Sequence, residues 1–93
     1  GMVYHNKKAY SEAYDSYLKA LNIIMKVKGE IHSDVANCYG NLGELFHDQD
    51  SLDQTLTYLH KEINVRSRLK GDYRSRLAEL YNKVGQTYFL QEN

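Results

Sequence analysis

Displaced along itself by 42 residues, this chain of 93 falls into register without a gap. "KALNIIMKVKGEIHSDVA" (19–36) lies over "KEINVRSRLKGDYRSRLA" (61–78), and "VANCYGNLGELFHDQDS" (35–51) over "LAELYNKVGQTYFLQEN" (77–93). Eleven of the 51 superposed positions are identical, far more than composition alone would give. Gly43 falls on Gly85, Gly29 on Gly71 and Tyr39 on Tyr81. No other feature constrains the fold as strongly. A unit of this period is one supersecondary piece that cannot bury its apolar face alone, so successive units must stack.

The unit is helical. The chain has no Pro, and its apolar residues recur at helical spacing with almost no alternation. Four helices are expected, at about 8–28, 34–48, 52–70 and 74–91. Gly29 and Gly71 stand where C′ glycines end the first and third. Ser33 or Asp34 would cap the second, Ser51 and Gln54 have capping-box spacing before the third, and Asp72 or Ser75 lies near the start of the fourth. The connections are short enough to join antiparallel neighbours only. The expectation is a single all-α domain of antiparallel helical hairpins. Within "YGNLGELF" (39–46), Gly43 interrupts a helix at a cost of about 1 kcal/mol. Because Gly85 repeats it, both glycines are expected to lie where a partner helix approaches the backbone closely.

Zero formal net charge speaks against bulk electrostatic binding to nucleic acid or an anionic membrane. No apolar run reaches membrane-spanning length, and no apolar signal-peptide region follows Gly1-Met2. Cys38 is the one cysteine, which fits a reducing, intracellular (cytoplasmic) setting, and its place beside Tyr39 and Leu42 suits a small buried thiol. His5, His32, His47 and His60 lack metal-ligand spacing, and no phosphate loop or nucleophile constellation is present. Neither cofactor, metal nor enzymatic activity is expected. Tyr10, Tyr14, Tyr17, Tyr39 and Tyr81 fall on core stripes.

Tyr39-x2-Leu42-Gly43-x2-Phe46 and Tyr81-x2-Val84-Gly85-x2-Tyr88 resemble the W-x2-L-G-x2-Y half of the tetratricopeptide (TPR) pattern. Ala13-x3-Tyr17, and more loosely Thr55-x3-Leu59, resemble its A-x3-F half. The period is longer than the usual 34 residues and the terminal Pro is missing; this longer class is similar to the repeats of kinesin light chains and Pins-type scaffolds. The resemblance implies a right-handed superhelix, an α-solenoid fragment over 1–93. In it, 8–28 is the second helix of one hairpin, 34–70 a full hairpin, and 74–91 the first helix of another. It also implies a concave face lined by first helices and a non-enzymatic protein–protein interaction role. Thr55 in place of Ala, and Glu62 where the preceding repeat has Ala20, suggest looser packing in the later repeat.

The polar stripes left on the first helices are Asn37, Gly40, Asn41, Glu44 and His47, with Asp48 beside them, and Glu79, Asn82, Lys83 and Gln86, with Phe89 near the end. Amide side chains there suit an extended peptide, since each offers a donor and an acceptor to its backbone. Arg66, Arg68, Lys70, Arg74 and Arg76 form a basic corner around Asp72 that would suit an acidic partner. The alternative role is structural: a segment of a longer array that self-associates through its ends. Leu18, Met25 and Val27 on the first helix, and Leu80, Val84, Gly85 and Tyr88 on the fourth, would then pair between chains. A symmetric homodimer is the expected form.

Overall fold

The computed structural model describes residues 7–71 and 73–91, so the expectations placed on residues 1–6 and on Asp72 lie outside the described residues. Among the described residues four helices appear: α1 (Lys7–Lys28), α2 (Ser33–Asp48), α3 (Leu52–Arg68) and α4 (Arg74–Gln91). Among the described residues there is no strand. No helix among them is long and apolar enough to cross a membrane.

The helix ends follow local chemistry. Gly29 and Gly71 hold φ of 88° and 126°, which strains any residue with a Cβ. Gly29 N–H closes the first helix on the Met25 carbonyl at 2.9 Å. Two caps differ from expectation. The N-cap of α2 is His32, whose Nδ1 accepts from the Asp34 amide at 3.0 Å. Asp34 instead takes Lys28 Nζ at 2.7 Å, and that hydrogen bond holds its carboxyl below the usual range. Ser51 caps α3 without a side-chain hydrogen bond, so its box with Gln54 does not form. Thr55 Oγ1 donates to the Ser51 carbonyl at 2.9 Å instead.

Consecutive helices pack on one another, most extensively α2 on α3. The molecule is a slab of 37 × 29 × 19 Å, the thinnest dimension matching two helix layers. Its core has two parts related by the repeat. Leu21 of α1 packs with Cys38 and Leu42 of α2; 42 residues on, Ile63 of α3 packs with Leu80 and Val84 of α4. Cys38 is buried, and burial pushes its thiol up from its ordinary value. Thr55 is buried too, so the later repeat is not loosely packed there.

An aromatic seam crosses α1, α2 and α3. Phe46 stacks on Tyr58 at 5.6 Å between centroids and receives Tyr14 edge-on at 5.5 Å. Burial, helped by a hydrogen bond with Tyr14, pushes the Tyr58 phenol up to about 12. Gly43 lies under this seam, where a Cβ would meet Tyr58 Cβ at 3.7 Å and Leu59 Cδ2 at 3.9 Å. The partner helix expected beside it is present, but at ordinary van der Waals distance, so the approach leaves room for a Cβ and does not itself require a glycine.

Gly85 behaves otherwise. A Cβ there would meet nothing within 4 Å. Tyr81, expected in the core, is 61 % exposed. Leu80 and Val84, expected to face outward, are buried against α3. Gly85 and Tyr81 are open because among the described residues no helix stands beside α4 as α3 stands beside α2, whereas Leu80 and Val84 turn to the other side of α4, where α3 covers them.

The two glycines therefore predict different outcomes for one change. Gly43→Ala should be accommodated and gain up to about 1 kcal/mol from helix propensity. Gly43→Leu should lose about 1–3 kcal/mol by overpacking. Gly85→Leu should cost nothing. Urea unfolding midpoints at low protein concentration check this; Gly43→Leu melting with or above the parent chain would remove the packing role.

Candidate functional site

Glu62 lies on the apolar stripe of α3 between Leu59 and Ile63, and its side chain is fully buried. A carboxylate there needs partners, since an unpaired buried charge is costly. Arg66, one turn on, donates Nε to Glu62 Oε2 at 2.7 Å. Arg76 of α4 donates Nε to Oε2 at 3.1 Å and Nη2 to Oε1 at 3.3 Å. The chain of bonds continues outward at both ends. Arg66 Nη2 donates to Asn37 Oδ1 of α2 at 2.9 Å, and Arg76 Nη1 to Glu79 Oε2 at 3.2 Å. Burial works against the Arg76 charge, but the attraction and hydrogen bonds of Glu62 outweigh it, and its pKa is raised. The Arg66 guanidinium also lies 5.9 Å from the Tyr73 ring centroid.

Gly40 makes room for this arrangement. A Cβ on it would stand 2.9 Å from Glu62 Oε1. The carboxylate is tied by two arginines, so it cannot swing away as a free side chain would.

Above the network lies a cleft of about 300 Å³. α2 forms one wall with Gly40, Gly43, Glu44, His47 and Asp48; α3 supplies the floor with Thr55, Leu59 and Glu62; α4 forms the other wall with Arg76, Lys83, Gln86 and Thr87. Thr87 Oγ1 is committed to the Lys83 carbonyl at 2.8 Å. Glu44 and Lys83 face each other across the mouth at 3.7 Å, an exposed pair worth little to stability. A second, shallower depression on α4 is lined by Asn82, Gly85, Gln86, Phe89 and Leu90. These are the repeat mates of the five α2 residues in the first cleft.

Of the residues expected in a groove, the structure brings Gly40, Glu44, His47, Lys83 and Gln86 together in the cleft. Asn37 and Glu79 end the ion network instead. Asn82 belongs to the second depression, and Asn41 is exposed on α2 and lines neither. Room expected beside Gly40 for a ligand is taken by the Glu62 carboxylate. The basic corner is narrower than its sequence suggests: Arg66 is buried and Arg76 turns inward, both onto Glu62. Arg68, Lys70 and Arg74 are the members that remain exposed.

Glu62, and with it the floor positions Thr55 and Leu59, are not among the site residues expected from sequence. A signal was present. Glu62 and Arg66 stand at i, i+4 spacing where the preceding repeat has Ala20 and Ile24, an ion pair set into an apolar stripe. Among the described residues no group of three His, Cys, Asp or Glu is placed to hold a metal ion. No protein-family model matches the chain, and comparison with curated proteins and with solved structures finds no match.

Removing one member of a buried pair leaves its partner's charge unpaired, so Glu62→Ala should lose about 3–5 kcal/mol. Adding Arg66→Ile, which restores both repeat mates, should recover most of that loss, because Arg76 is a third exposed and can rehydrate. Gly40→Ala should lose about 1–3 kcal/mol by overpacking against the fixed carboxylate. Chemical denaturation in a double-mutant cycle reads all three. A loss below about 1 kcal/mol for Glu62→Ala would mean that the network behaves as a surface pair.

Proposed function

We propose that this chain is a non-enzymatic interaction module, a short tetratricopeptide-like helical array that holds an extended peptide segment of a partner protein in the cleft between α2 and α4. The observation that carries the reading is the cleft itself: a concave site whose floor charge is already neutralised and whose rim is polar. Glu62 is bonded by Arg66 and Arg76, and Arg76 by Glu79 as well, so two carboxylates balance two guanidiniums and the floor offers a ligand no net charge to neutralise. Beside it, Gly40, Gly43 and Leu59 provide a surface for a small or apolar side chain. Around the mouth, Glu44, His47, Lys83 and Gln86 offer hydrogen-bonding groups of both senses. That combination, apolar purchase below and mixed donors and acceptors above, suits a peptide backbone better than a strongly charged ligand. The resemblance of Tyr39-x2-Leu42-Gly43-x2-Phe46 to the tetratricopeptide half-motif supports the same reading. A neutral chain with one buried thiol suits an intracellular setting for such a module.

Selection from a random peptide library, followed by calorimetry of the selected peptides, tests this. His47 and Gln86 are exposed, so His47→Trp and Gln86→Trp should fill the mouth without unfolding the chain. Together they should weaken binding at least about tenfold, or 1.4 kcal/mol. Raising salt should change the affinity little, because no unpaired charge lies on the floor. Failure to select any peptide, or selected peptides that bind the filled variant equally well, would overturn the reading.

A further inference from the structure

Both ends of the helix row leave apolar surface open, and the repeat identifies what each would meet. On α1, Ile23 and Val27 are 62 % and 75 % exposed. Their repeat mates are Val65 of α3, which is buried, and Leu69 just past its end, which is half-buried, both in the cluster that holds Val35 and Ala36 of α2. On α4, Tyr81, Gly85 and Tyr88 are exposed. Their mates on α2 are Tyr39, Gly43 and Phe46, which Tyr58, Leu59 and Lys61 of α3 meet. So α1 displays the α3 half of the α2–α3 interface, and α4 displays the α2 half.

Two details sharpen the match. Lys61 Nζ lies 5.7 Å from the Tyr39 ring centroid, an attraction between cation and π-face. The repeat mates of that pair are Lys19 on α1 and Tyr81 on α4, the same two residue types. The shallow depression on α4 is also one wall of the first cleft repeated, without a floor. The floor residues Thr55, Leu59 and Glu62 have Ala13, Tyr17 and Ala20 of α1 as their mates.

We propose that a second copy of this chain docks its α1 on the α4 of the first, repeating the α2–α3 packing between molecules. Ile23 then covers Ala78 and Leu77, Lys19 meets Tyr81, and Tyr17 lies over Gly85. The docked helix closes the second depression into a second cleft whose floor carries no ionisable acid or base of the Glu62–Arg66 kind. It therefore takes an apolar side chain between Gly85 and Phe89. The joined surfaces are unlike each other, so copies add end to end rather than as the symmetric pair expected from sequence. This association does not depend on peptide binding in the first cleft.

Sedimentation equilibrium of the full chain, from micromolar to hundreds of micromolar, tests it. The weight-average mass should rise with concentration above 10.8 kDa. Ile23→Glu with Val27→Glu disables the α1 end, and Tyr81→Glu the α4 end; all three side chains are exposed, so circular dichroism should show intact helices. Each variant alone should remain at 10.8 kDa. An equimolar mixture of the two should form a pair of twice that mass and stop, because each retains one working end. A parent chain that stays monomeric throughout overturns the proposal. So does a one-end variant that still self-associates, which would mean a symmetric contact, or a mixture that fails to pair.

Discussion

A carboxylate with no access to water, Glu62, sets the terms for the rest of this small structure. Three segments must converge to satisfy it: Arg66 from its own helix, Arg76 from α4, and Asn37 of α2 through Arg66. Each bond is also a positional constraint, so the network fixes how α2, α3 and α4 sit against one another. The requirement reaches the backbone, because only a glycine at 40 leaves the carboxylate its place. Replacing such a network by apolar residues is often neutral or stabilising. Its consequence here is chemical: the floor of the cleft is polar, yet it has no charge left over for a ligand.

The same geometry explains why the cleft lies where it does. Helices α2 and α4 are the like members of successive units, and α3 holds them apart. Their facing stripes become walls and α3 becomes the floor. The aromatic seam of Tyr14, Phe46, Tyr58 and Tyr39 locks α2 to α3 beneath that floor. The α1–α2 packing has a second example in α3–α4, whereas the α2–α3 packing has only its two unmatched halves on α1 and α4. A chain built this way has a tightly packed middle and exposed apolar residues on its outer helices, and the proposed end-to-end docking rests on that asymmetry.

Particular residues show how far the sequence reached. The helix bounds came within two residues, because apolar spacing and the glycines at 29 and 71 are local signals. Caps were less legible: His32 took the place expected of Ser33 or Asp34, since Lys28 claimed the Asp34 carboxylate. Gly43 met its partner helix and Gly85 did not, though the repeat makes them equivalent. Tyr81 shares a motif position with Tyr39 but is largely exposed, because burial depends on a neighbour that a motif does not contain. Five of the nine residues expected in the groove line the cleft, and Asn41 faces neither cavity although it follows Gly40 directly.

The sequence by itself determined what is periodic or local: an all-helical chain, its four segments, the 42-residue register and the polar stripe on each first helix. These follow from side-chain spacing along one chain, where a helix repeats every 3.6 residues. Only the tertiary structure decided what the exceptions to that spacing mean. In the sequence Glu62 is a charge misplaced in an apolar stripe, and Arg76 is one of five cations in a corner. In the fold they are a single bonded group, joined across 14 residues of chain, with Asn37 reached from 29 residues away. No local pattern encodes that meeting, because it depends on which helix arrives beside which. The approach of α4 turned a polar defect into the floor of a cleft.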